Sequence, residues 1–410
     1  MKSDDLSPEQ AWQEFLAILS TGPDRMRKSQ CDPDDALVSF ESFKYLMIGL
    51  CHGINMTMFA DPDFPVWLPG PHYPIGYAGP NPDATYYYTQ VNPAGVYRLW
   101  GKRNSVRVAS TQVSSDWFGV SYLQELPFEV QENRLGNPRP LASYDFDEHI
   151  VCDADGAFEI MLSKTRPHGW SGNWWQLAPN ACTLLTRFFA YDIEHEVDPE
   201  IHIERLDGPA RPSRAAGYRY GNAVKSVAHV AVEMLGFFAE QLAKQRREMG
   251  INQFKITTFG GVGFSSQAYL QAPFTMADDE VLIVETEVPK TCHYWNFQLS
   301  DELFALFDYV NVQNSLNGFT AHIDSDGRFR AVVSSRDPGV HNWLDAGGLL
   351  NGVVLGRWTR ADSHPVPLIR RVKFEELRAE LPASTRYVTP QERRAELKKR
   401  RNSYLKRLRM

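Results

Sequence analysis

Cysteine is scarce. Cys31, Cys51, Cys152, Cys182 and Cys292 are scattered with no CxxC pair. An odd, unpatterned set excludes a disulfide-stapled scaffold and fits a reducing compartment. No run of about 18 apolar residues exists, so no membrane-spanning helix is expected. The opening stretch MKSDDLSPEQAWQEFLAIL is too acidic for a secretory signal. These absences describe a soluble, cytoplasmic chain with no membrane partner. Positive charge is short as well: the net charge is −7. Nine Lys/Arg and two Glu fall in the last twenty residues, leaving the body near −14, which argues against nucleic acid as its partner. The common catalytic signatures are also missing: no GxSxG elbow, Walker A loop, HExxH, or GxGxxG between a strand and a helix. The glycine string FGGVGFSS (259–266) has neither the lysine nor the spacing of a phosphate loop and reads as a loop entering a β-module.

What is present is a repeated phrase. Residues 153–174 read DADGAFEIMLSKTRPHGWSGNW and residues 324–343 read DSDGRFRAVVSSRDPGVHNW. Asp153, Asp155, Gly156, Phe158, Ser163, Asn173 and Trp174 match Asp324, Asp326, Gly327, Phe329, Ser334, Asn342 and Trp343. Each NW pair is followed by an arginine inside an apolar run, Arg187 in TLLTRFF and Arg357 in VVLGRW. Upstream, VYRLWGKRNSVRVASTQVS (96–114) echoes VLIVETEVPKTCHYWNFQLS (281–300). The offset falls from about 186 to about 171 residues along the copies, so one insertion separates them. The DxDG phrase supplies the positive φ of a tight turn. It lacks the glutamate an EF-hand needs at its twelfth position, where Lys164 and Ser335 stand.

The expected fold is mainly β (α+β): two tandem sandwich or jelly-roll-like β-modules, an N-terminal helical region, a connecting helix and a C-terminal helix. Residues 1–75 hold the helical region and an irregular Pro/Gly-rich segment, 76–215 the first β-module, 216–250 the connecting helix, 251–370 the second β-module and 371–410 a basic arm. Ser7 is placed to cap a helix over 7–20, with Pro8 at its first position. A second helix is expected over 35–60, a third over 221–249, and helical segments at 373–381 and 390–410. In the last, Leu397, Tyr404, Leu405 and Leu408 form an apolar stripe, with the basic residues on the other faces. That stripe predicts docking, on this chain or on a neighbouring subunit of a homo-oligomer.

The ADG turn, the NW pair, LLTRFF and YWNFQL resemble the bacterial domain of unknown function 1214. The phrase NxDxxY at Asn81, Asp83 and Tyr86 is similar to one in its frequent N-terminal companion, domain 1254, with Ala84 where that family has threonine. The resemblance spans residues 40–370 and implies a β-sandwich or jelly-roll-like architecture, with little said about chemistry.

The candidate site residues are polar groups set in apolar strands. Arg187 and Arg357 are each either a structural ion pair or a carboxylate anchor, because a guanidinium fork matches a carboxylate. In CHYWNFQL, alternation puts His293, Trp295 and Phe297 on one face and Tyr294, Asn296 and Gln298 on the other. His293 has the chemistry of a general acid or base. Tyr86 and Tyr88 share a face near Asn81 and Asp83, as core packing or as a site in which a phenol beside Asp83 donates a proton. His341 stands where the first copy has Gly172. The pairs Glu194-His195-Glu196 and His202/Glu204 read as exposed acidic positions, so no metal and no cofactor is expected.

The reading is a cofactor-independent acid/base enzyme of catabolism acting on a small apolar or aromatic carboxylic acid. Lyase chemistry of the decarboxylase type is favoured, because a para-hydroxyphenyl substrate supplies its own electron sink. Tyr86, Asp83 and His293 would move protons. Arg187, Arg357, Asn81, Tyr88, Trp295, Gln298 and His341 would bind. A hydrolase, or a non-catalytic carbohydrate- or lipid-binding sandwich, stays open.

Overall fold

In the computed structural model the chain is mainly β, and it describes residues 7–32, 34, 36–115, 140–212, 219–257 and 266–410. Apart from Ser266, the glycine string lies outside these. The first module holds β1 (Leu68–Pro69), β2 (Ala84–Gln90), β3 (Tyr97–Lys102), β4 (Val108–Ser114), β5 (Pro140–Asp145), β6 (Ala157–Ser163), β7 (Asn173–Gln176), β8 (Thr183–Phe189) and β9 (Glu200–Arg205). The second holds β10 (Lys255–Thr257), β11 (Gln267–Thr275), β12 (Glu280–Glu287), β13 (Cys292–Ser300), β14 (Ser315–Asn317), β15 (Arg328–Ser334), β16 (Trp343–Asp345), β17 (Asn351–Ala361) and β18 (Leu368–Lys373). Sheet orders are β1-β2-β8-β4-β5 with β7-β6-β3-β9, and β10-β11-β17-β13-β14 with β16-β15-β12-β18. Adding nine to every strand number turns one sandwich into the other.

The duplication extends to single hydrogen bonds. Asn173 Nδ2 donates to the carbonyls of Val151 (2.9 Å) and Glu159 (3.0 Å), and its Oδ1 accepts from the Val151 amide (2.8 Å). Asn342 does the same with His322 (2.7 and 2.8 Å) and Arg330 (2.8 Å). These side chains satisfy backbone groups where the chain arrives at β6 and β15, which explains the repeated asparagine. In each DxDG turn the glycine amide donates to the carbonyl of the first aspartate, and Gly156 and Gly327 both have φ +79°. Each sandwich closes over its own core: Leu99, Ile160, Leu162, Leu184, Phe188 and Trp175 in the first, and Leu282, Val284, Phe297, Phe329, Val354 and Trp358 in the second.

Helices α1 (Pro8–Ser20), α2 (Gly22–Arg27) and α3 (Ala36–Ile54) open the chain, α3 running into a π turn at Asn55–Phe59. Ser7 caps α1 as expected, and it does so in a capping box with Gln10. A single turn, α4 (Phe146–His149), follows β5; α5 (Arg219–His229) and α6 (Leu235–Met249) flank a π turn at Val230–Met234. This last segment joins the modules in sequence and packs against α1, α2 and α3, so the helices form one layer. Among the described residues no helix is long and apolar enough to cross a membrane.

The chain ends in α7 (Leu377–Glu380) and α8 (Pro390–Leu408), and α8 docks on its own chain. Tyr404 packs against Leu306, Tyr309 and Val310. The expected all-outward basic faces need correction. Arg393, Arg400 and Arg407, seven residues apart, point into the body. Arg393 binds the Val340 carbonyl and Gln313 of the second module. Arg400 donates to Tyr309 O at 2.7 Å, and Arg407 to Asp83 O at 2.6 Å and Phe188 O at 2.7 Å in the first module. The helix is a strap held by guanidinium–carbonyl bonds as much as by its apolar stripe, and that face is filled within one chain.

Candidate functional site

Strand alternation decides what stands between the sandwiches. Leu184 and Phe188 point into the first core, so Leu185 and Arg187 point out of it. Arg187 forms a cross-strand row with Tyr86 on β2 and Ser110 on β4, and the next row is Tyr88, Leu185 and Gln112. Partners in such a row lie about 5 Å apart with side chains on one face. On the second sandwich the matching outward rows are Tyr269, Arg357 and Asn296, then Gln271, Leu355 and Gln298. The duplication therefore builds two tyrosine–arginine rows. They approach each other: the rings of Phe189 and Tyr294 are 5.3 Å apart across the gap. Burial pushes the Tyr86 phenol up, and the charges of Arg357 and Arg187 both pull it back.

The two arginines are held differently. Arg357 gives its guanidinium to three carbonyl-type oxygens: Gln298 Oε1, Asn296 Oδ1 (3.3 Å) and the Gly79 carbonyl (2.7 Å). Arg187 donates through Nη2 to Gln112 Oε1 at 2.7 Å, and its Nη1 is buried with no partner. Among the described residues no carboxylate stands within ion-pair distance of either, so the ion pair considered for Arg187 finds no partner among them. Ser110 Oγ, Gln90 Oε1 and both amide atoms of Gln271 are likewise buried without a partner among the described residues.

Asn81 and Asp83 belong to a saturated network beside this layer. Asp83 accepts from Tyr294 (2.7 Å) and Asn317 (3.0 Å) on Oδ2 and from Tyr404 (3.2 Å) on Oδ1. Burial pushes its carboxyl up, while the Tyr294 and Asn317 donors pull it down. Asn81 bonds Tyr294 (2.8 Å) and Asn296 (2.9 Å), and its backbone amide donates to the Tyr86 hydroxyl at 2.9 Å. Tyr86 thus has its oxygen fixed, and no acceptor among the described residues takes its proton. The helical layer adds His52, whose ring lies 4.7 Å from Tyr77 and 5.4 Å from Tyr88, held neutral by burial with its pKa pushed down to about 3. His72, with its pKa pushed down to about 4 by burial, flanks Tyr86.

The structure gathers Asn81, Asp83, Tyr86, Tyr88, Arg187, Gln298 and Arg357 in this layer, and three expected residues lie elsewhere. His293, the second residue of β13, lies on the other face, its Nε2 2.8 Å from the Arg107 carbonyl. Trp295 is in the second core against Phe297, Phe329 and Trp358, because odd positions of β13 point inward. His341 sits 2.9 Å from the Thr320 carbonyl and 3.2 Å from Glu396, where it steadies α8. Asp83 accepts from Tyr294, Asn317 and Tyr404, so three of its roughly four acceptor sites are taken by the protein itself. Gln112 was detectable, since VASTQVS laid on YWNFQLS pairs Gln112 with Gln298. Nothing local marked Gln271, His52 or Asn317, and Tyr404 was marked only as part of the apolar stripe of the last helix. Asp192, Glu194 and His195 cluster with ligand atoms within 4.8 Å on a loop, but Lys399 pairs with Glu194 at 2.6 Å. Glu204 pairs with Arg98 at 3.2 Å, and His202 stacks on Trp100.

A buried cation with one free nitrogen, flanked by two hydroxyls, can hold a small oxyanion. No family model matches the chain, and no curated protein does. Among solved structures it is similar to an uncharacterized protein from Burkholderia cenocepacia, at 26% identity and TM-score 0.80, covering 89% of this chain and 97% of that one. A Vibrio parahaemolyticus protein matches at 11% identity and TM-score 0.47 over 87% of this chain and 100% of the other.

Proposed function

We propose that the layer between the sandwiches binds a small, largely apolar organic acid, and that the chain is an enzyme acting on it by acid–base chemistry, a lyase of the decarboxylase type. One observation carries this: Arg187 is only 6% exposed, has no carboxylate partner among the described residues, and keeps Nη1 unpaired. A buried charge in that state is costly, and a bound carboxylate would neutralise it. Ser110 and Tyr86 in the same row complete a three-donor seat. Tyr86, kept as a neutral phenol by burial, is the proton donor: its proton goes to the carbon bearing the carboxylate. The carbon–carboxylate bond then breaks, CO₂ leaves, and the electron pair returns to the substrate's π system. The engagement of Asp83 by three protein donors favours a second reading, a ligand-binding protein without turnover. The five free cysteines support a cytoplasmic setting. Kinship with domains 1214 and 1254 is part of the same proposal.

The test is calorimetric titration with benzoate and cinnamate, together with assay of CO₂ released from para-hydroxycinnamate, which carries its own electron sink. Binding should weaken about a hundredfold in Arg187→Met with unchanged circular dichroism. Equal affinity in the variant would remove the anchor. Binding without CO₂ release would leave the second reading.

A further inference from the structure

Helix α3 is apolar on both sides, and only one side is covered. Tyr45, Leu46, Gly49, His52 and Gly53 are buried, where α3 packs on α2, on α5 and on the π turn at Val230–Met234. On the opposite side Phe40 is 73% exposed, Phe43 51%, Met47 49% and Ile54 37%, and Cys51 is exposed as well. These positions follow one another at steps of three or four residues, so they form one stripe along the helix. Apart from His52, the only charged or titratable side chains between residues 39 and 59 are Glu41, Lys44 and Cys51. A helix that is apolar all round belongs in an interior, and no described residue covers this stripe.

The chemistry of the stripe selects its partner. A helix that lies on a lipid surface sets lysines and arginines on its other face, and the other face of α3 is core. Exposed aromatic and methionine side chains with little charge are the composition of a protein interface. Area points the same way. At roughly 150–250 Å² per phenylalanine, Phe40, Phe43 and Phe59, the last 63% exposed, leave about 300–450 Å² in water. Met47, Cys51 and Ile54 enlarge this centre, and an interface of standard size takes about 800 Å² from each partner, its polar rim included. The stripe is also symmetric about its own middle: Phe40 and Ile54 each stand seven residues from Met47, and Phe43 and Cys51 each stand four. We propose that α3 is a dimerisation face, on which two copies of this chain pack antiparallel about a two-fold axis at Met47. Phe40 then meets Ile54 of the partner subunit, and Phe43 meets Cys51 of the partner subunit. Such a contact closes on itself and needs no second patch.

The experiment weighs the full chain by analytical sedimentation at micromolar concentration, as wild type, Met47→Glu and Phe40→Ser. Wild type should run at twice the 46.7 kDa of one chain. Met47→Glu brings two like charges together at the axis and should weaken association at least about a hundredfold, so that it runs as a monomer. Its circular dichroism should be unchanged, because Met47 is half exposed in the single chain. Phe40→Ser should act in the same direction and serves should the glutamate variant not fold. Position 47 faces itself across the axis, so Met47→Cys, with Cys31→Ser and Cys51→Ser, should be joined into pairs by a short bis-maleimide. A dimer of that variant that fails to cross-link overturns the placement of the axis. A dimer that survives both Met47→Glu and Phe40→Ser uses another face and overturns the proposal. A monomeric wild type overturns it as well, and if that monomer sediments with phosphatidylcholine vesicles, the stripe belongs to a lipid surface instead.

Discussion

The two sandwiches carry the same arginine for different ends. Arg357 bonds Gly79, Asn296 and Gln298, and through Gly79 it fastens the segment before β2 to the second sheet. Arg187 has Gln112 alone among the described residues. A duplicated strand thus supplies two buried cations, one used up in joining the modules and one left with an open valence. Exchanging each for methionine separates the roles. Arg357→Met leaves Asn296 Oδ1 and the Gly79 carbonyl without this donor, while Gln298 Oε1 keeps Asn296, and should cost about 3–5 kcal/mol in chemical denaturation. Arg187→Met removes a charge that little compensates and should change the stability of the free protein by no more than about 1 kcal/mol in either direction. Equal losses would mean the two copies are both structural.

The asparagine corners form the next contrast. Asn342 is 9% exposed and Asn173 more so, yet each makes the same three backbone bonds. Unpaired groups at the buried corner have no water to turn to. Asn342→Ala should therefore cost about 2–4 kcal/mol and Asn173→Ala about half that, read from urea midpoints. A larger loss at Asn173 would reverse the argument from burial.

These corners were legible because a repeated phrase exposes residues that do the same job twice. The pair of similar β-modules followed from the same echo, though not their nine strands each, and so did the equivalence of Arg187 and Arg357. Strand alternation separated Gln298 from Trp295, since neighbouring positions of one strand serve opposite faces. What alternation could not say was which side of each sheet would meet the other module, so His293 and Trp295 were drawn into a site they do not reach. His52, Asn317 and Tyr404 come to the layer from α3, β14 and α8, elements remote in sequence, and only tertiary packing brings them there. Gln271 looks in sequence like any polar residue on a half-buried strand.

Acid titration breaks the symmetry on the first module's side. His52 touches Tyr88, whose counterpart in the second module is Gln271, and the row partners of Gln271 are Leu355 and Gln298. Burial pushes the His52 pKa down to about 3, so the unfolded chain takes up the proton first. The stability His52 contributes is complete above about pH 6.5 and falls as pH drops from there, by about 2 kcal/mol at pH 5. Asp301, whose pKa burial pushes up to about 7, works in the opposite direction over the same range. The comparison that isolates His52 is therefore between His52→Phe and wild type. The variant should lose about 2 kcal/mol less between pH 6.5 and 5, and parallel curves would mean that His52 is protonated in the fold.

The smallest expected effect tests the duplication most directly, because the two copies should respond alike. Gly156 and Gly327 both sit at φ +79°, the left-handed position that closes the DxDG turn. A Cβ added at Gly327 meets nothing within 4 Å, and at Gly156 it meets only Lys102 Cγ at 4.0 Å. Neither substitution creates a clash, so the cost of alanine is the backbone conformation alone, about 1 kcal/mol at each site. Asparagine, which tolerates this region better, should recover part of it in both. Thermal melts of Gly156→Ala and Gly327→Ala should move down together, and the Asn variants should lie between them and wild type. A loss confined to one copy would show that the shared turn is held by its module and not by its own four residues.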